Sequence, residues 1–279
     1  MTAAWPLDRF PLVRTCDVDE FHAALATIYS GPRLELLGRD KTVDVAINRY
    51  PLRHTDLSFG SYAAEIHMEF PETGFVSQII PVRGKAEAWV GRTKVAMGAG
   101  RSVVISADAT FGLIHNADYE RFIFKIDESA LKAKLAALVG APIDRLTFQP
   151  EQDGRHPMAK AFRNHFMFLV NQVNASDPPL PKAMLTEFEQ ALMVMFLYAN
   201  RNNYSPLLER RAADAAPSEV RRAEEFIEAN ADRPITLEDL ARVTGVSAFS
   251  LFRAFRKSRG YSPLEFAARV RSQLRAPRQ

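Results

Sequence analysis

The 279-residue sequence holds a single cysteine, Cys16. One thiol excludes an intrachain disulfide framework and suits a reducing, cytoplasmic setting. No run of eighteen apolar residues occurs, and the chain does not open on the basic, apolar and small-residue triplet of a secretion signal. No membrane partner is expected. Histidine is scarce, at six. The strand-rich region has His54, His67 and His115, widely spaced and with no His-x-His pair, too little for a metal centre even though Glu65 and His67 share a strand face. A Gly-rich phosphate loop, a Gly-x-Ser-x-Gly elbow and a Cys-x-x-Cys pair are all missing. Catalytic residues, a metal and a cofactor are therefore not expected.

What is present is an uneven charge. The net +3 conceals 12 Lys/Arg against 8 Asp/Glu from Pro217 onward, and 24 against 25 before it. From Arg242 to the end there are nine basic residues and one acidic, Glu265. One-sided charge of that density fits a phosphate-binding face at the C-terminal end.

The length suggests two domains. Residues 1–30 begin irregularly and then read as a short helix from Asp17 to Tyr29. From Leu34 to Asp127, short apolar or alternating runs recur about every 8–12 residues with Gly, Pro or Asp between them, the pattern of an all-β barrel or sandwich. Helical periodicity takes over at Glu128–Val139, Met158–Asn174 and Ala183–Asn200. The last carries a wide apolar stripe of Leu185, Phe188, Leu192, Met195, Phe196 and Ala199, suited to packing on the barrel or to a dimer seam. Polar, Ala-rich 205–218 reads as a linker, and Glu219–Asn230 as a covering helix. The expected class is α+β: domain 1–204, linker 205–218 and an all-α unit 219–279.

Within that unit, Thr236 is placed to cap a helix, with Asp239 completing a capping box. Leu237, Leu240 and Val243 recur at helical spacing. Gly245 stops the helix, and Ser247 caps a second one running on through Ser250 to Lys257. Two short helices joined by a Gly-containing turn describe a helix-turn-helix, whose second helix enters the major groove. Val246, Leu251 and Phe255 supply its inward face.

Ile235, Thr236, Leu237, Leu240, Ala241, Gly245, Ser247, Leu251, Arg253, Phe255, Arg256, Gly260, Ser262, Pro263 and Phe266 together resemble the first helix-turn-helix of the AraC/XylS family of bacterial transcription regulators. More loosely, Leu57–Tyr62, Ser77-Gln78 with Gly84, the corner at Gly98–Gly100 and Phe122–Ile126 are similar to that family's cupin-like effector domain, in the branch that regulates aromatic-compound catabolism. The resemblance implies a cupin-like β-barrel with C-terminal flanking helices, a small-molecule effector such as an aromatic metabolite, promoter DNA and RNA polymerase as partners, and a homodimer. Family members carry two helix-turn-helix units, and SQLRAPRQ after the first does not continue the apolar pattern that leads into a second. A regulator that binds ligand and dimerises but does not hold DNA alone is the alternative, with a metal-dependent cupin enzyme behind it.

For DNA the resemblance points to Ser247, Phe249, Ser250, Phe252 and Arg253 near the bases and to Arg256 and Lys257 near phosphates. Arg253 alternatively braces the motif through Glu238 or Asp239, and the phenylalanines alternatively pack in the core. For the effector, a carboxylate needs a cationic partner, for which Arg39, Arg49, Arg53, His54 and His67 are available. Phe59, Tyr62, Gln78 and Trp89 are expected to line the barrel.

Overall fold

The computed structural model describes residues 5–29, 31–37, 42–98, 100–209 and 217–275. Its strands are β1 (Pro11–Thr15), β2 (Arg33–Leu36), β3 (Val45–Pro51), β4 (Thr55–Tyr62), β5 (Ile66–Phe70), β6 (Phe75–Arg83), β7 (Ala86–Val90), β8 (Thr93–Met97), β9 (Arg101–Ile105), β10 (Phe111–His115), β11 (Tyr119–Asp127) and β12 (Glu151–Asp153). Its helices are α1 (Val18–Ala26), α2 (Glu128–Val139), α3 (Pro157–Ala175), α4 (Lys182–Ala199), α5 (Ser205–Glu209), α6 (Pro217–Ala229), α7 (Leu237–Thr244), α8 (Ala248–Arg259) and α9 (Pro263–Arg275).

The chain falls into two compact units, Met1–Ala130 with Thr147–Asn203, and Leu131–Leu146 with Tyr204–Gln279. The first is built on two antiparallel sheets. One has the order β1-β3-β4-β11-β6-β9-β12 and the other β2-β5-β10-β7-β8. In the five-stranded sheet the pleat puts alternate residues inside, as in β5, where Ile66, Met68 and Phe70 are buried between His67 and Glu69. Those side chains meet Val45, Ile47, Ile79, Val103 and Ile105 of the seven-stranded sheet in one core.

The central strands of the larger sheet are covered on both faces, so β4 is buried at every position from Thr55 to Gly60. Tyr119, Arg121 and Ile123 of β11 face the chamber between the sheets. Phe122 and Phe124 face the helices: Phe122 lies 5.4 Å from Phe166 of α3, and Phe124 lies 5.9 Å from Phe196 of α4. Of the α4 stripe, Leu192 and Phe196 are buried and Leu185, Phe188, Met195 and Ala199 are partly buried, while Met193 and Leu197 beside the stripe are also buried. Phe168, Met184 and Tyr198 remain exposed.

The second unit packs α6 to α9 around Leu240, Leu251, Ala254 and Phe255. Three features differ from the sequence reading. β1 and β12 are short flanking strands without a clean alternation. Part of the expected linker is helical, as α5 and the start of α6; residues 210–216 lie outside the described residues. Leu131–Leu146 groups with the C-terminal helices, because Ala137 of α2 packs with Ala241 of α7 and Ala248 of α8.

Candidate functional site

The helix-turn-helix is fixed by local chemistry. The Asp239 amide donates to Thr236 Oγ1 at 3.2 Å while the Thr236 amide donates to Asp239 Oδ2 at 3.2 Å, a reciprocal capping box. Gly245 closes α7 at φ 73°, and its amide donates to the Ala241 carbonyl at 2.9 Å. Ser247 Oγ accepts from the Ser250 amide at 3.1 Å and starts α8. These constraints leave α8 with Leu251 and Phe255 fully inside.

Its outer face then presents Phe249 (54% exposed), Phe252 (39%), Arg253, Arg256 and Lys257. The Arg253 guanidinium lies 5.9 Å from the Phe249 ring centroid and that of Arg256 lies 5.8 Å from Phe252, within cation–π range. Both phenylalanines are therefore outside the core. Ser247 and Ser250 are turned inward, with their hydroxyls bonded to each other at 2.8 Å, so they build the turn and are withdrawn from a base-reading position. The acids considered as braces for Arg253 are engaged elsewhere: Glu238 with Lys134 of α2, and Asp239 with Arg242 at 2.6 Å.

The chamber between the sheets contains an unusual charge. Arg121 stands opposite Gly60, and a Cβ on Gly60 would lie 2.7 Å from the Tyr62 hydroxyl. The missing side chain lets the Tyr62 ring fold across toward Arg121, whose NH2 donates to the phenol oxygen at 2.9 Å. Arg121 is 1% exposed, and its Nε and NH1 have no hydrogen-bond partner among the described residues. Tyr62, His115 and Tyr119 surround this group, with neighbouring ring centroids 4.8 Å apart across His115. Burial pushes the His115 ring down to about 3 and the Tyr29 phenol up to about 12, so both are neutral at physiological pH. Among the described residues, no group of three or more His, Cys, Asp or Glu is arranged to hold a metal ion.

A model of the AraC-binding-like domain matches residues 21–198. The chain belongs to that family. A probable thc operon regulatory protein of Rhodococcus erythropolis is 26% identical over 272 residues, covering 92% of this chain and 79% of that protein. The crystal structure of the AraC-like transcriptional activator CuxR superposes with a TM-score of 0.51 at 14% identity, covering 95% of each chain, a likeness of fold.

Within the AraC-binding-like domain, Tyr62 is the one expected aromatic or polar lining residue among the described residues that faces the chamber. Phe59 turns the other way and meets Phe122 at 5.3 Å under the helices. Gln78 shares its outward parity, donating to Ser102 at 2.9 Å and accepting from Asn200 at 3.1 Å; it lines a cavity of about 300 Å³ with Phe122, Phe162 and Phe166. His67 and Trp89 lie with ring centroids 5.3 Å apart and tilted on the outside of the smaller sheet, beside Glu35 and Glu69. Arg53 is exposed at the β3–β4 turn, and Arg39 lies outside the described residues. Arg49 does point inward, where Asp56 takes its Nε at 2.5 Å. Arg121 escapes sequence reasoning because it opens an apolar run, and parity alone does not say which side of a doubly covered strand is the chamber.

Proposed function

We propose that the chain is a DNA-binding transcription regulator of the AraC/XylS type, whose AraC-binding-like domain senses a small molecule and whose α8 contacts the promoter. The observation that carries this reading is the outer face of α8, where exposed Phe249 and Phe252 are followed by Arg253, Arg256 and Lys257 on a capped helix-turn-helix. Similarity to a probable operon regulatory protein and to an AraC-like activator supports it. Arg253 is chemically suited to the two acceptors on a guanine edge, the phenylalanines to thymine methyls, and Arg256 and Lys257 to phosphates. The exposed Phe168, Met184 and Tyr198 on α3 and α4 suit the same helices to pairing two copies, which would present two α8 helices to a two-fold operator.

A mobility-shift titration against the DNA upstream of the chain's own coding region tests the proposal. Binding at low salt that weakens steeply as salt rises is expected, because each neutralised phosphate releases counterions. A chain that forms dimers and leaves this DNA unshifted at any salt would be a ligand-binding regulator that acts through another DNA-binding protein.

A further inference from the structure

The chamber face of the seven-stranded sheet carries more cation than anion. On its strands β3, β4 and β11 that face has Arg49, Arg121 and Lys125 with one carboxylate, Asp56. Asp56 is buried and serves two of the three, Arg49 Nε at 2.5 Å and Lys125 Nζ at 3.8 Å, while its other oxygen accepts from Ser58 at 2.8 Å. Arg121 has no part in that arrangement. Its only hydrogen bond among the described residues is to the Tyr62 hydroxyl, and its ring contacts with Tyr62 and Tyr119, at 5.1 and 6.0 Å, do not neutralise a full charge.

A guanidinium remains protonated wherever it is buried, so it cannot escape desolvation by giving up its proton. Burial without a counter-charge is therefore strongly unfavourable, and an anion bound from outside the chain would relieve that cost. Two further buried polar atoms lack partners beside it, the Tyr119 hydroxyl and His115 Nε2. His115 Nδ1 lies 3.0 Å from the Asn116 carbonyl oxygen and must carry the proton, which leaves Nε2 as an open acceptor. Donors on Arg121 and Tyr119 and an acceptor on His115 are thus left open within one aromatic neighbourhood.

We propose that the cavity beside Arg121 binds the carboxylate of a small organic acid, with Arg121 as its counter-charge and Tyr62, Ile47 and Ile123 among its walls. The inference rests on reading the domain as an effector sensor and names the chemical class of that effector. The cavity now measures about 20 Å³, room for about one water. Leu25, Ile28 and Tyr29, from α1 and the turn after it, also line it. An acid larger than formate enters by displacing them, so occupancy is coupled to the position of α1.

The test is calorimetric and thermal-melt titration of the full chain, without DNA, using acetate, butyrate and benzoate against acetamide, butyramide and benzamide at constant ionic strength. At least one acid should bind tenfold or more tightly than its own amide and raise the melting temperature. Arg121→Met should abolish that preference and, because it removes an unpaired buried charge, should melt higher than the wild type when no acid is present; Arg121→Lys should keep part of the preference. Acids that bind no better than amides would overturn the proposal, directing attention to the hollow beside Gln78. So would an Arg121→Met protein that retains the preference, or one that melts lower without ligand, which would make the guanidinium a structural group. The acid-against-amide comparison uses wild-type protein and stands whether or not a variant folds. Because DNA is absent, failure to bind acids leaves the DNA-binding reading intact, and failure to bind DNA leaves this one intact.

Discussion

Gly140, just past the end of α2, lies against the backbone of Ser247 so closely that an added Cβ would stand 2.6 Å from the Ser247 amide nitrogen. Gly140 also has φ +72°, where side chains are disfavoured. Ser247 is the residue that caps α8, so the chain after α2 seats directly on the cap of the proposed recognition helix. Gly140→Ala therefore meets both backbone strain and a collision with main chain that has little room to retreat. It should cost about 2 kcal/mol or more. Gly245→Ala has a similar φ of +73° but open space around it, and should cost only about 1 kcal/mol. Calorimetric melts of the two variants provide the comparison; equal losses would mean that the close approach to Ser247 has no energetic weight.

The same contact carries an ion pair, Lys134 with Glu238, whose ammonium side chain is largely withdrawn from water. Burial pushes the Glu238 carboxyl upward, but the Lys134 ammonium outweighs it and holds the group below its ordinary value of 4.5. A depressed carboxyl releases its proton more readily in the folded state. Its stabilisation is thus complete above the unfolded value and is lost as pH falls through the folded one. Acidification from about pH 6 to about pH 3 should loosen α2 from α7, read as faster amide exchange in both helices, and Glu238→Gln should flatten that component of the pH profile. A profile identical in the variant would show that other carboxylates govern it.

The helix-turn-helix was legible almost residue by residue, because caps and turn glycines act over three or four positions. Thr236, Gly245 and Ser247 occupy the roles that their spacing implies. Strand existence was equally readable, since turn residues punctuate the runs. Direction was not. β4, β6 and β11 bury both faces, so Phe59 and Gln78 look as suited to the chamber as Tyr62 and Arg121 do. Trp89 misleads for a different reason: its strand puts Ala86 and Ala88 inside and the indole outside, over Gly112 of β10, where a Cβ would lie 2.3 Å from the ring. Large-inside patterning fails where a neighbouring strand supplies a glycine shelf. The placement of α2 with the C-terminal helices depends on Ala137, Ala241 and Ala248, too small and too far apart in sequence to announce themselves.

Glu189 is a buried carboxylate whose Oε1 accepts from the His54 amide at 2.7 Å, the Thr55 amide at 2.8 Å and Thr55 Oγ1 at 3.0 Å. It ties α4 to the turn between β3 and β4. Glu189→Ala strands two amide donors away from water and should destabilise the first unit by about 2–4 kcal/mol. Glu189→Gln keeps an acceptor oxygen and should lose less than half as much. Denaturant unfolding followed through the fluorescence of Trp5 and Trp89, both in the first unit, measures both; a Gln variant as damaged as the Ala variant would assign the stabilisation to the charge and not to the acceptor geometry.

On α8, Arg253 and Lys257 should fail differently because they are placed for different work. Neither side chain belongs to the buried core, so their alanine variants should melt within about 0.5 kcal/mol of the wild type. Arg253→Ala, losing a contact to a base edge, should weaken the preferred site by roughly 1–3 kcal/mol and relax preference at one base pair. Lys257→Ala, losing a phosphate contact, should weaken all sequences about equally and reduce the salt slope by about 1. Mobility-shift titrations on the upstream DNA and on a scrambled control, each at several salt concentrations, separate the two patterns. If Arg253→Ala lowers affinity for the control as much as for the upstream DNA, its guanidinium lies on the phosphates, and base reading by α8 then falls to Phe249 and Phe252.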